Sequence, residues 1–215
     1  MKLVLDGRMA IPRMTGAGRY VIELAHRVPR LAADITVDVL LLPSMRATPI
    51  PALLADAGVT VHYVDARIAS ARQWFVIPRL LKRLRPDLYH YPFLDLPYVA
   101  FPSVVTVYDL NPILHSEYFE HFAGLKRLAA RRLIGSTLRR SRAAFAISEV
   151  TRGLIQQHYP ESAHKVRTIH LGVDPVAWAA PRADTAGNDL DSGARAVWRS
   201  QPPAPSPSAI CCPAP

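Results

Sequence analysis

Cysteine is nearly missing from this 215-residue chain, and the two present, Cys211 and Cys212, are adjacent near its C-terminus. Neighbouring cysteines give neither a disulfide across a core nor a zinc-ligand spacing, so free thiols are expected. Metal-binding patterns are lacking as well. His115, Glu117, Glu120 and His121 lie close together, yet no histidine pair has the His-Glu-x-x-His spacing of a helical zinc site, and no metal is expected. Long hydrophobic runs are absent: no apolar stretch reaches the ~18 residues of a membrane span, and the longest uncharged candidate, Leu96 to Tyr108, is broken by Pro97 and Pro102. The first nine residues carry Lys2, Asp6 and Arg8, which interrupts any apolar leader; cytoplasmic residence is the expectation.

Negative charge is missing from one long segment. Between Phe122 and Ile147 there is no Asp or Glu, while Lys126, Arg127, Arg131, Arg132, Arg139, Arg140 and Arg142 crowd a stretch that reads as a helix. A second basic group, Arg79, Lys82, Arg83 and Arg85, precedes Pro86, and the formal net charge is +9. These runs suit solvated helix faces, or a basic surface that meets anionic lipid headgroups or a phosphorylated acceptor; a peripheral position on the inner face of the cell membrane would follow from the latter. Nucleic acid is not an expected partner, because no recognised binding motif or aromatic stacking platform accompanies the charge.

What the chain has in quantity is short apolar, β-branched runs, at 3–5, 35–42, 59–64, 104–107, 143–147 and 166–169, which read as buried strands. Helical spacing between them predicts helices over 16–32, 52–57, 70–85 with a kink at Pro78, 118–140 and 148–159, with loops over 43–51 and from 110 to about 117. Strand and helix alternate, so the expected class is α/β, a Rossmann-like, mostly parallel sheet with helices on both faces. Beyond about Pro175 the pattern stops. Six of the last fifteen residues are proline, and residues 176–215 are expected to form a low-complexity, disordered tail behind a domain at 1–175.

Ligands of such sheets bind at the carboxyl ends of the strands. Four strand ends carry chemistry. Gly16-Ala17-Gly18-Arg19-Tyr20 opens a helix, where glycines allow close backbone approach and the helix terminus favours a phosphate, although an ordinary glycine turn reads the same way. His90 ends the Asp87 to Tyr91 strand and suits either a sugar hydroxyl or a satisfied structural role. Tyr108-Asp109 ends an apolar strand, where Asp109 can accept from an acceptor hydroxyl or cap the next turn. Ser148-Glu149 begins a helix, with Ser148 as its N-cap and Glu149 in the first turn.

Taken in order with Leu171-Gly172-Val173-Asp174-Pro175, these segments resemble the N-terminal domain of the glycosyltransferase family 4 enzymes, one half of a GT-B fold. The resemblance covers about 1–175. It implies transfer of a sugar from a nucleotide-sugar donor to an acceptor hydroxyl with retention of configuration, with the nucleotide sugar as donor substrate and no bound cofactor. It implies that Gly16, Gly18 and Arg19 face the donor diphosphate, that Asp109 is catalytic, and that Tyr20, His90, Tyr108, Ser148 and Glu149 lie on the acceptor side. A glycan, a polyprenyl-linked saccharide and a phospholipid are all compatible, as acceptors, with a basic domain of this kind. Many relatives have His-Asp where this chain has Tyr108-Asp109, so no role for that histidine carries over.

The family's donor-binding domain, with its Arg/Lys pair and Glu-x7-Glu signature, has no counterpart here, so the chain is expected to be an inactive fragment that arose by frameshift, premature end or gene splitting. A non-catalytic acceptor-binding or interaction module with a basic surface is the competing class. A nicotinamide-dependent dehydrogenase fits less well, since the loop from Gly7 to Thr15 is long and no third glycine follows Gly18.

Overall fold

The computed structural model describes residues 1–114 and 125–172. Among them seven strands form one sheet: β1 (Lys2–Asp6), β2 (Thr36–Leu41), β3 (Thr60–Tyr63), β4 (Leu88–Tyr91), β5 (Ser103–Val107), β6 (Ala143–Ala146) and β7 (Val166–Thr168). Every neighbouring pair is parallel, in the order β3-β2-β1-β4-β5-β6-β7. The sheet expected to be mostly parallel is entirely so among the described residues. All five residues of β5 are buried, which is why its sequence, Ser-Val-Val-Thr-Val, does not alternate apolar with polar.

The helices are α1 (Gly16–Leu31), α2 (Ile50–Asp56), α3 (Gln73–Leu84), the single turn α4 (Asn111–Leu114), α5 (Leu125–Arg140) and α6 (Glu149–His158). Parallel crossovers are right-handed almost without exception. The steps from β1 to β2 to β3 run one way across the sheet and every later step runs the other, so the helices are divided between the faces. Ile77 and Leu81 of α3, Ile134 and Leu138 of α5 and Ile155 of α6 share one core with Val4, Tyr89, Tyr91, Val105 and Val107. The opposite face receives α1 through its buried Val21, Ile22 and Ala25.

Some boundaries differ from those expected, each for a local reason. The proline-rich stretch 43–51 is not a loop: it winds into a 3-10 helix at Pro43–Ala47 and starts α2 at Ile50, because Pro43 and Pro51 occupy first-turn positions where no N–H is required. α3 begins at Gln73 rather than Ser70 and continues through Pro78. It stops at Arg85, whose backbone is left-handed (φ 51°) and whose N–H bonds the Leu81 carbonyl at 2.8 Å, with Pro86 barring continuation. α4 replaces part of an expected loop, and β7 is only three residues long, preceded by a 3-10 helix at Pro160–Lys165. The start of the helix expected from Tyr118, the His115 to His121 group, the end of the Leu171 to Pro175 segment and the tail at 176–215 with its cysteines lie outside the described residues. The described residues belong to one compact unit, Met1–Val173. Among them no helix is long and apolar enough to cross a membrane.

Candidate functional site

β1 lies where the strand order reverses: its sequence successor β2 is on one side and β4 on the other. Loops leaving β1 and β4 therefore diverge and open a crevice at the carboxyl ends. The loop from β1 folds back at once, with Gly7 N–H on the Leu40 carbonyl (2.8 Å) and Ala10 N–H on the Gly7 carbonyl (2.9 Å). A β-carbon on Gly7 would stand 2.9 to 3.0 Å from Leu41, Leu40 and Val39, so only glycine fits against β2. Thr15 then caps α1, its Oγ1 accepting from Gly18 N–H at 3.1 Å.

That cap separates the roles of the two glycines expected to face a diphosphate. Gly18 has its amide committed to Thr15, and a β-carbon there would stand 2.9 Å from Met9, Ala10 and Met14. Its absent side chain serves packing of helix against loop. Gly16 meets nothing within 4 Å, and the amides of Gly16 and Ala17, having no carbonyl one turn earlier, remain for a ligand. No acidic residue lies in this first turn, and Arg19 is exposed there. Of the three expected phosphate-facing residues, Gly16 and Arg19 are open to solvent and Gly18 is not.

On the α1 face the structure brings Tyr20, His90 and Tyr108 together. The Tyr20 ring stands edge-on to both His90 and Tyr108, with centroids 6.1 Å apart in each case. Thr106 joins them beneath: His90 Nε2 is 2.8 Å from its Oγ1, and Tyr20 Oη is 3.4 Å from the same atom. His90 is buried, and that desolvation, only partly opposed by Asp6, lowers its pKa to about 4. It is neutral at pH 7 and acts as a packing and hydrogen-bonding group rather than as a proton donor. Burial raises the pKa of Tyr20 and Tyr108. The Tyr108 hydroxyl is buried with no hydrogen-bond partner among the described residues, the unsatisfied member of this cluster.

The ends of β5 and β6 sit side by side, joined by Ile147 N–H on the Val107 carbonyl (3.2 Å) and Thr151 Oγ1 on the Tyr108 carbonyl (3.1 Å). Asp109 lies beyond β5 and is exposed; its Oδ1 accepts from Asn111 N–H at 2.9 Å, so it shapes the turn into α4 while the carboxylate still faces solvent. Ser148 caps α6, accepting from Thr151 N–H at 3.1 Å. Glu149 is exposed and 3.5 Å from Arg152, so it belongs to the surface of the α6 first turn.

Sequence reasoning missed a buried polar network on the other face. Asp6 and Arg8 are fully paired: Arg8 Nε lies 2.8 and 3.0 Å from the two Asp6 oxygens, and Nη2 lies 2.7 Å from Oδ2. Arg8 also donates to the Ala66 carbonyl (2.7 Å) and Gln73 Oε1 (3.3 Å). Tyr89 donates to Asp6, and Tyr91 and Gln73 both donate to Asp95. Asp95 in turn accepts from the N–H of Ala69, a residue with left-handed backbone (φ 59°). Burial raises the Asp95 pKa, against the pull of these donors. The network ties the loops after β1, β3 and β4 to one point at the strand reversal. Its visible signal was a carboxylate and a guanidinium two residues apart at the end of an apolar strand.

A model of glycosyltransferase family 4 matches residues 14–176. The chain belongs to that family. The family 4 assignment agrees with the fold, which is similar to a glycosyltransferase from Rickettsia africae ESF-5 (12% identity, TM-score 0.50, 80% of this chain and 43% of that one). It is similar also to Alr3699/HepE of Anabaena, solved in complex with UDP and glucose (15% identity, TM-score 0.51, 81% of this chain and 45% of that one). At such identities the likeness concerns the fold, one Rossmann-like half of a GT-B architecture. The family 4 chain spans less than half the length of either solved protein. No curated protein matches the sequence.

Proposed function

We propose that this domain is the acceptor-side half of a retaining glycosyltransferase that uses a nucleotide-sugar donor. The observation that carries the reading is the convergence at adjoining strand ends of three kinds of group: the open amides of Gly16 and Ala17, the Tyr20-His90-Thr106-Tyr108 cluster and the exposed carboxylate of Asp109. Family membership and the UDP and glucose bound by the similar Anabaena protein support it. In this reading the helix terminus and Arg19 face the donor diphosphate, at about 0.3 to 1 kcal/mol for the dipole. Asp109, with one oxygen engaged by Asn111, offers the other to an acceptor hydroxyl. Tyr20 and Tyr108 form the wall against which the acceptor rests, and a ligand hydroxyl that reached the Tyr108 oxygen would satisfy it. His90 orients Tyr20 through Thr106. A cytoplasmic setting belongs to the same proposal.

Charge that stabilises the departing diphosphate would come from a second, donor-binding domain, so the 215 residues by themselves are expected to transfer no sugar. The test is to assay the purified chain with nucleotide sugars and candidate acceptors, alone and with a family 4 donor domain joined after Pro175. Silence alone and transfer when joined is the expected result. Asp109→Asn in the joined enzyme should lower kcat/KM by at least about tenfold with an unchanged melting temperature. Transfer by the unextended chain, or full activity in the Asp109→Asn enzyme, would overturn respectively the inactivity and the role of that carboxylate.

A further inference from the structure

Phe75 and Tyr98 are the most exposed aromatic side chains among the described residues, at 63% and 67%. Both belong to the α3 side of the sheet, Phe75 being on α3 and Tyr98 packing its ring 5.8 Å from Trp74 of the same helix. Tyr98 is also held by α5, whose Arg140 guanidinium stacks 4.1 Å above its ring while donating to the Pro97 carbonyl at 2.9 Å. It is therefore a fixed outward projection rather than a loose loop residue, and it bridges the two helices that carry the basic runs.

Around these rings the surface is cationic. Arg79, Lys82 and Arg83 are exposed on α3 with Phe75, at spacings that form one outer stripe, and Arg131 and Arg132 are exposed on α5. None of these five has an ion-pair partner among the described residues. Neither α3 nor α5 contains an acidic residue. Cations without an ion-pair partner among the described residues, beside the exposed rings of Phe75 on α3 and Tyr98 in the loop after β4, match the layered chemistry of a headgroup region: phosphates outside, glycerol and upper acyl carbons beneath. A single-stranded nucleic acid would need ring faces free for stacking, and Arg140 already covers one face of Tyr98.

We propose that the outer surface of α3, Tyr98 and α5 docks on an anionic lipid bilayer. Phe75 and Tyr98 enter the headgroup layer, and Arg79, Lys82, Arg83 and Arg132 face the lipid phosphates. The proposal does not depend on the glycosyl-transfer reading, because it concerns the face opposite Tyr20 and His90 and is read without turnover.

Sedimentation of the full chain with phosphatidylcholine vesicles, with and without phosphatidylglycerol, tests it. Binding should require phosphatidylglycerol, fall as salt rises, and weaken about fivefold for each of Arg79→Gln and Lys82→Gln. Phe75→Ala with Tyr98→Ala should weaken it on the order of tenfold while circular dichroism and the melting temperature stay unchanged. In a Trp178→Phe, Trp198→Phe chain, Trp74 is the remaining tryptophan, and brominated acyl chains should quench its fluorescence. Failure to bind phosphatidylglycerol vesicles would overturn the proposal. So would binding indifferent to the aromatic substitutions with Trp74 unquenched, which is adsorption by charge alone. Equal affinity for an RNA oligonucleotide that displaces the vesicles would reassign the surface to nucleic acid.

Discussion

His90 gives the domain a defined acid response. The free imidazole titrates near about 6.5, whereas the buried one is held to about 4. Between these values the unfolded chain binds more protons than the folded one, so stability rises with pH across the window. The contribution is complete above about pH 6.5, declines as pH falls and is gone by about pH 4, a loss of roughly 3 kcal/mol. Urea midpoints measured from pH 7 to 4 should show this slope, and His90→Gln should flatten it. Arg8 answers a different question. Replacing it by Ala leaves Asp6 charged and buried without its partner and should cost about 3–5 kcal/mol in a urea melt, whereas Asp6→Leu with Arg8→Met should cost less than Arg8→Ala alone. Neither residue's environment was legible in the chain. Asp6 and Arg8 read only as charges that interrupt an apolar start, because the side chains they reach beyond each other, Tyr89 from Asp6 and Gln73 from Arg8, lie far along the sequence. His90 read with two meanings, and the side chain that decides between them, Thr106, is hidden in an apolar strand.

At the level of elements, the apolar runs placed six of the seven strands, since a strand covered on both faces has little choice of composition, while β4 with its central Tyr-His-Tyr was expected apart from them, at Asp87 to Tyr91. The misplaced boundaries around residues 43–51 were fixed by backbone chemistry that propensity does not weigh, proline in a first turn at Pro43 and Pro51, whereas the stop expected before Pro86 is where α3 ends, at a left-handed Arg85. The opening turn of α1 shows the same limit, because two glycines that look equivalent in Gly16-Ala17-Gly18 differ in what surrounds them. Gly18→Val should destabilise by at least about 1–3 kcal/mol, since Met9 and Ala10 offer backbone atoms at 2.9 Å that cannot yield as a side-chain tip would. Gly16→Val should leave the melting temperature within a few degrees, yet in a joined enzyme it should lower turnover by crowding the amides beside it. Thermal melts of the two variants, side by side, separate packing from ligand approach. Unequal melting temperatures are the expected result.

Across the whole molecule one core runs under α3, α5 and α6, from Val4 in β1 to Val166 in β7. Residues 1–172 should therefore unfold as a unit, with amide protection in β1 and β5 lost at the same urea concentration by hydrogen exchange. The strand order also imposes a sequence in time. β1 is synthesised before both its neighbours and ends in the interior of the sheet, pairing β2 on one edge and β4 on the other. About 50 residues separate the end of β2 from the end of β4, so at about 5–20 residues per second a nascent chain waits several seconds before that second edge can close. Through that interval Leu3, Val4 and Leu5 present a bare hydrogen-bonding edge to other nascent chains on the same messenger. Slower translation over residues 42–91 should therefore raise the fraction of newly made chain that aggregates in the cell, and faster translation should lower it.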